Sequence, residues 1–177
     1  MTDDRTPTRI DFWRRMAAQF GGPVLALGCG TGQLAVAVES IGLAVTGVDA
    51  DAEKLSHARL GTERANVDVR WIHADPRTLA LPRRFGFVFV ADALGAAFPA
   101  AAEQRALLAT ARRHLAPEGA FGFAVDNDAA REVADEVDQW LEAAGLAVVA
   151  QYGDWDFAPF RRASPRLLTL CRARPGA

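Results

Sequence analysis

The sequence predicts one doubly wound α/β domain across its 177 residues, with a mostly parallel seven-stranded sheet and an antiparallel C-terminal strand. Three observations predict it. Short apolar runs alternate with segments of helical periodicity from one end of the chain to the other. Those runs are apolar on both faces, as strands lying between two helix layers must be. The last two runs have no helix between them, and a parallel pair needs a helical crossover, so they must pair antiparallel.

Ile10, Trp13, Met16, Ala17 and Phe20 recur at helical spacing, and Gly21-Gly22-Pro23 stops them. Val24 to Leu27 is a brief strand ending in Gly28-Cys29-Gly30-Thr31-Gly32, and a small-residue helix follows to about Ser40. Ala44 to Val48 is the second strand and closes on Asp49, after which Asp51 caps a helix running to about Leu60. Val67 to Ile72 and Phe85 to Val90 are the third and fourth strands, with Asp75 beyond the third and Ala91-Asp92 beyond the fourth. Ala102 to Leu115 is a helix closed by the turn Pro117-Glu118-Gly119, and Ala120 to Val125 is the fifth strand. Asp128 caps a helix whose Val133, Val137, Trp140, Leu141 and Ala144 form an apolar stripe ended by Gly145. Val148 to Tyr152 and Leu167 to Arg172 are the final strands, joined by the loop Gly153 to Pro165.

Composition narrows the function. Lys+Arg 20 against Asp+Glu 22 gives a net charge of −2, so no sequence-wide attraction to nucleic acid or to an anionic membrane is expected. Lys54 is the only lysine, an arginine bias read as genomic composition. Cys29 and Cys171 match no metal-ligand spacing and make a reducing cytoplasm the expected compartment. Neither a signal peptide nor a membrane-length apolar stretch is present.

A strand that ends in GxGxG and opens into a helix turns backbone N–H groups and the helix dipole toward a ligand. The dinucleotide fingerprint would place its third glycine at Gln33, which disfavours NAD. Asp49, 21 residues after Gly28, is placed to accept both hydroxyls of an adenosine ribose. Its alternative is to cap the next helix. Asp75, in His73-Ala74-Asp75-Pro76, is a third polar group on that edge, able to accept from an adenine amino group or to form an Asx turn.

VLALGCGTG, TGVDADAEKL, IHADPRTLAL, FGFVFVADALG and RRHLAPEGAFGFAV, in that order, resemble the motifs of class I S-adenosylmethionine-dependent methyltransferases. The tail QYGDWDFAPFRRASPRLLTLCRARP is similar to the last hairpin of small bacterial members that act on small molecules. The resemblance spans about residues 10 to 174 and implies a Rossmann-like methyltransferase fold with S-adenosylmethionine as cofactor. It implies that Gly28, Cys29, Gly30 and Gly32 approach the methionine moiety, Asp49 and Ala50 the ribose, and Ala74 and Asp75 the adenine. Ala91 and Asp92 would line the methionine end. Two departures stand out. The family's acidic third residue of VL[DE]LGCGTG is Ala26, with Asp92 or Asp11 as substitutes, and Arg9 or Arg14 could meet the carboxylate end. The segment that caps the substrate between strand five and the next helix is missing, which leaves a site open to a large substrate or to cover by a second subunit, a homodimer.

Methyl transfer from a sulfonium needs mainly proximity and alignment, so no triad is expected. Asp92 and Asp126 are the candidate catalytic carboxylates. With Asn127 they would also suit Mg²⁺, but Asp92 falls one residue late for the family's metal-binding members, and no metal is assigned. His57 and His114 are read as structural or solvated, with His114 a cation at its helix C-terminus, and His73 as a neighbour of the cofactor. Phe98, Trp155 and Phe157 either wall an aromatic substrate or pack the hairpin onto the sheet. The expected function is methylation of an O or N atom of a small bacterial metabolite. Its alternatives are a cofactor-binding protein of the same fold that does not methylate, a cyclase, isomerase or non-catalytic partner, and an NAD(P) oxidoreductase.

Overall fold

The structure is a computed structural model and describes residues 8–94, 100–126 and 137–175. Helix α1 (Arg9–Phe20) precedes β1 (Val24–Leu27), α2 (Gln33–Glu39), β2 (Val45–Asp49), α3 (Ala52–Ala65), β3 (Val69–His73), β4 (Phe85–Ala93), α4 (Ala101–His114), β5 (Leu115–Asp126), β6 (Leu146–Tyr152) and β7 (Arg166–Ala173). The strands form one sheet in the order β3-β2-β1-β4-β5-β7-β6. β3, β2, β1, β4 and β5 run parallel, and β7 is antiparallel to both β5 and β6. The expected sheet and the antiparallel terminal pair are both present.

β1 and β2 are buried on both faces because they separate two apolar layers, whereas the edge strands β3 and β6 are partly exposed. Leu25 and Leu27 of β1 point into one with Val88, Val90, Leu107, Leu108, Val137 and Leu141. Val24 and Ala26 point into the other with Trp13, Leu34, Leu55, Phe87 and Phe89. The second layer is closed by α1, whose Thr8 cap accepts from the Asp11 N–H while Asp11 accepts from the Thr8 N–H. Trp13 lies against Gly122 of β5, where a Cβ would stand 2.7 Å from its ring.

Three boundaries differ from expectation. α3 continues through Gly61 to Ala65, where the left-handed Asn66 (φ 52°) ends the helix. β5 starts at Leu115 rather than Ala120, since Pro117-Glu118-Gly119 form a three-residue swelling of the strand. β4 extends to Ala93 with a bulge after Phe89, so Ala91 and Asp92 belong to the strand instead of following it. The helix placed after Asp128 is described only as helical residues 137–143; Asp128 and Val133 lie outside the described residues.

Of the two readings of His114, structural or solvated, the structure bears out the structural one, and the expected cation at the helix C-terminus is corrected to a buried staple. It is fully buried, its Nδ1 lies 2.8 Å from the Thr110 carbonyl, and its Nε2 accepts from the Leu81 N–H at 2.9 Å. Such an arrangement is satisfied by the neutral ring protonated on Nδ1. Burial is the main cause of a pKa below its ordinary 6.5. The unfolded chain therefore takes up a proton that the folded chain refuses, and stability falls as pH drops below about 6.5 toward the folded-state value. His114→Leu should cost about 1–3 kcal/mol through the orphaned Leu81 N–H and flatten that acid limb; urea melts between pH 5 and 7.5 measure both.

Candidate functional site

The carboxyl edge of the parallel strands is organised by Asp49. Its Oδ2 accepts from the Gly30 N–H at 2.7 Å and its Oδ1 from the Asp51 N–H at 2.9 Å. Asp49 is 9% exposed, so a carboxylate is drawn into the turn and held there by backbone donors. It does not cap α3; Asp51 does, accepting from the Glu53 and Lys54 N–H groups.

The glycines of the turn serve different ends. Gly28, Gly30 and Gly32 all have positive φ (61°, 56° and 81°). At Gly30 nothing lies within 4 Å of a Cβ position, so the backbone there is open to an approaching ligand. Gly32 is glycine for packing as well: a Cβ there would stand 2.5 Å from the Trp71 ring. That indole lies across the strand pair, since Trp71 is the register partner of Gly47, where a Cβ would meet it at 2.4 Å. Sequence reasoning missed Trp71, and the signal available to it was a tryptophan in one strand facing a glycine in the next. Cys29 places its thiol toward Gly47, and burial pushes its pKa up to about 12, so it is a protonated filler. Its N–H donates to the Val48 carbonyl at 3.0 Å.

Beyond β3, the Ala74 N–H donates to the Asp49 carbonyl at 3.1 Å, joining the two strand ends. His73 Nε2 lies 2.9 Å from the exposed Ala50 carbonyl. Asp75 forms the Asx turn, accepting from the Arg77 N–H at 2.8 Å. Arg77 also grips both its oxygens, through Nε at 2.9 and 3.1 Å and Nη2 at 2.7 Å, and reaches Glu103 through Nη1. The hydrogen bonds from that guanidinium hold the Asp75 carboxyl below its usual range.

At the end of β4, Ala91 is buried, whereas Asp92 is exposed and pairs with Arg9 of α1 at 3.4 Å. Asp11 is engaged in the α1 cap. Ala26 is fully buried in the apolar layer between its register partners Gly47 and Phe89. Asp126 ends β5 opposite Arg166; its side chain, Asn127 and all of Phe98 lie outside the described residues. Trp155 and Phe157 are half-buried and pack on α1: Phe157 stacks on Phe12 at 4.8 Å, and Trp155 meets Phe12 edge-on at 5.7 Å. Arg166 lies over Trp155 and pairs with Asp154. His57 is exposed on α3.

A family model described as a methyltransferase domain matches residues 24–119, more than half of the chain. The chain belongs to the class I S-adenosylmethionine-dependent methyltransferase family. A curated relative, an uncharacterized methyltransferase of Mycobacterium bovis, is 46% identical over 59 residues, 33% of this chain. The match spans 29% of that relative's length. The structure of the CcbJ methyltransferase from Streptomyces caelestis superposes with a TM-score of 0.82 at 21% identity, covering 94% of this chain and 96% of that one. The glycopeptide N-methyltransferase MtfA complexed with S-adenosylmethionine gives 0.77 at 20% identity, covering 99% of each chain. These two likenesses show that the chain shares their fold.

The site residues of this methyltransferase-family chain fit an adenosyl cofactor: the Gly30 backbone is open to an approaching ligand, and the buried Asp49 carboxylate stands beside it. Asp49→Ala removes the acceptor for two backbone donors, each bond to a charged acceptor being worth about 1.5–3 kcal/mol. It should loosen the turn and weaken S-adenosylhomocysteine binding at least about tenfold, read by calorimetric titration. Ala26→Asp, which restores the family's usual acid, should instead destabilise the fold by about 3 kcal/mol or more through an unpaired buried charge; a lowered thermal midpoint checks it.

Proposed function

We propose that this chain binds S-adenosylmethionine over the glycine turn and transfers its methyl group to an O or N atom of a small molecule, of the bacterial secondary-metabolite kind. The observation that carries the reading is the convergence, on one sheet edge, of the open backbone at Gly30 and the buried Asp49 carboxylate within a family-matched segment. Bound there, S-adenosylmethionine supplies a methyl group on a sulfonium, a carbon already activated for in-line displacement. The chain's task is binding and alignment. Asp49 holds the ribose hydroxyls with the lone pairs left over from Gly30 and Asp51, and the Ala74-Asp75 segment borders the adenine. Ala91 and Asp92 border the methionine end. Arg9, paired with Asp92, keeps that carboxylate charge-compensated at the mouth of the site. A general base is required only if the acceptor is a hydroxyl. Of the proteins that share the fold, MtfA is a glycopeptide N-methyltransferase, which is in keeping with an N atom as acceptor.

The second reading, cofactor binding without methyl transfer, is favoured by Ala26, which puts an apolar side chain where the family places an acid. Two measurements separate the readings. Calorimetric titration with S-adenosylmethionine and S-adenosylhomocysteine should show saturable binding, and its absence at millimolar ligand ends both. Mass spectrometry of candidate acceptors incubated with the cofactor should show a gain of one methyl mass. An unchanged mass with altered chromatographic retention supports rearrangement instead.

A further inference from the structure

Among the acid–arginine contacts on the carboxyl edge, that of Asp75 is built differently. Asp92 meets Arg9 through one oxygen at 3.4 Å, and Asp154 meets Arg166 through one oxygen as well. Asp75 is clasped by the residue two places along the chain. Pro76 between them has no N–H, so the turn closes through the Arg77 N–H, which donates to Oδ1 at 2.8 Å. The guanidinium then lies along the carboxylate: Nε donates to Oδ1 at 2.9 Å, with a longer branch to Oδ2 at 3.1 Å, and Nη2 donates to Oδ2 at 2.7 Å.

Arg77 is itself anchored to α4. Its Nη1 pairs with Glu103 in the first turn of that helix, and its carbonyl accepts from the hydroxyl of the buried Thr110 at 2.7 Å. A carboxylate has about four acceptor positions, two on each oxygen. Arg77 fills both on Oδ1 and, with Nη2, one on Oδ2. The Asp75 side chain is still 34% exposed, so an acceptor position on Oδ2 is left for a ligand. The same hydrogen bonds keep the carboxyl ionised, and an ionised carboxylate accepts without donating.

We propose that Arg77 is the positioning residue for the adenine 6-amino group: its fork fixes the Asp75 carboxylate so that the remaining acceptor position on Oδ2 meets that donor. This rests on the reading above that the Ala74-Asp75 segment borders the adenine. A freely turning aspartate would lose rotamer freedom on binding, whereas one already clasped has lost it in the folded chain.

The test is calorimetric titration of the full chain with S-adenosylhomocysteine and with its 6-desamino analogue, which carries hydrogen in place of the amino group. The unaltered chain should prefer S-adenosylhomocysteine at least about tenfold, and Asp75→Ala should abolish the preference. Arg77→Gln should cut the preference to about threefold or less and leave affinity for the analogue nearly unchanged. Glu103→Gln removes the ion pair to α4, keeps a side chain suited to the helix cap, and should leave the preference intact. Full preference in Arg77→Gln overturns the proposal. So does an equal loss of affinity for both ligands, or a loss of preference in Glu103→Gln matching that in Arg77→Gln, since either makes Arg77 a brace between β3 and α4. Equal binding of both ligands by the unaltered chain removes Asp75 from the adenine and the proposal with it. Absence of saturable binding of either ligand removes the cofactor site on which both rest.

Discussion

The carboxylate of Asp49 is the constraint on which the candidate site depends. Burying an ionised group is costly unless donors replace its water, and here the Gly30 and Asp51 N–H groups do so from two different turns. One side chain thereby fixes the glycine turn after β1 to the start of α3. The Asp49 carbonyl, accepting from the Ala74 N–H, carries the same connection to β3. Three strand ends are joined through one residue. The neighbouring packing reinforces it, because Trp71 spreads over Gly47 and Gly32 and fixes how closely β2, β3 and α2 approach.

The other carboxylates on this edge are held differently. Asp75 is gripped by Arg77, Asp92 meets Arg9, and Asp154 pairs with Arg166. Exposed pairs of this kind contribute little to stability, about 1 kcal/mol or less each. Their effect is to set which acids carry uncompensated charge near a ligand. Asp49, bonded to backbone N–H groups, keeps lone pairs directed by the turn itself.

Much of this was legible in the sequence because it depends on local rules. Apolar runs on both faces announced a sandwiched sheet, Gly21-Gly22-Pro23 ended α1 where expected, and the missing crossover between the last strands forced β7 antiparallel. What stayed hidden depends on contacts between segments distant in sequence. Nothing in the periodicity of Phe85 to Ala93 reveals that β4 bulges before Asp92, since a bulge is set by pairing with β5. His114 reads as a terminal cation until Leu81, 33 residues away, is seen donating to it. The glycine motif read as one device, yet Gly30 faces open space while Gly32 yields room to an indole two strands over.

The aromatic seam between α1 and the β6–β7 loop has a consequence for biosynthesis. Phe12 meets Tyr152, Trp155 and Phe157, side chains about 140 residues later in the chain. On the ribosome, α1 must wait for the β6–β7 loop before that flank of it is covered. Contacts spanning this much of a chain form slowly, and the apolar surface they will cover stays open to aggregation meanwhile. Until then, that flank of α1 offers chaperones an apolar handle.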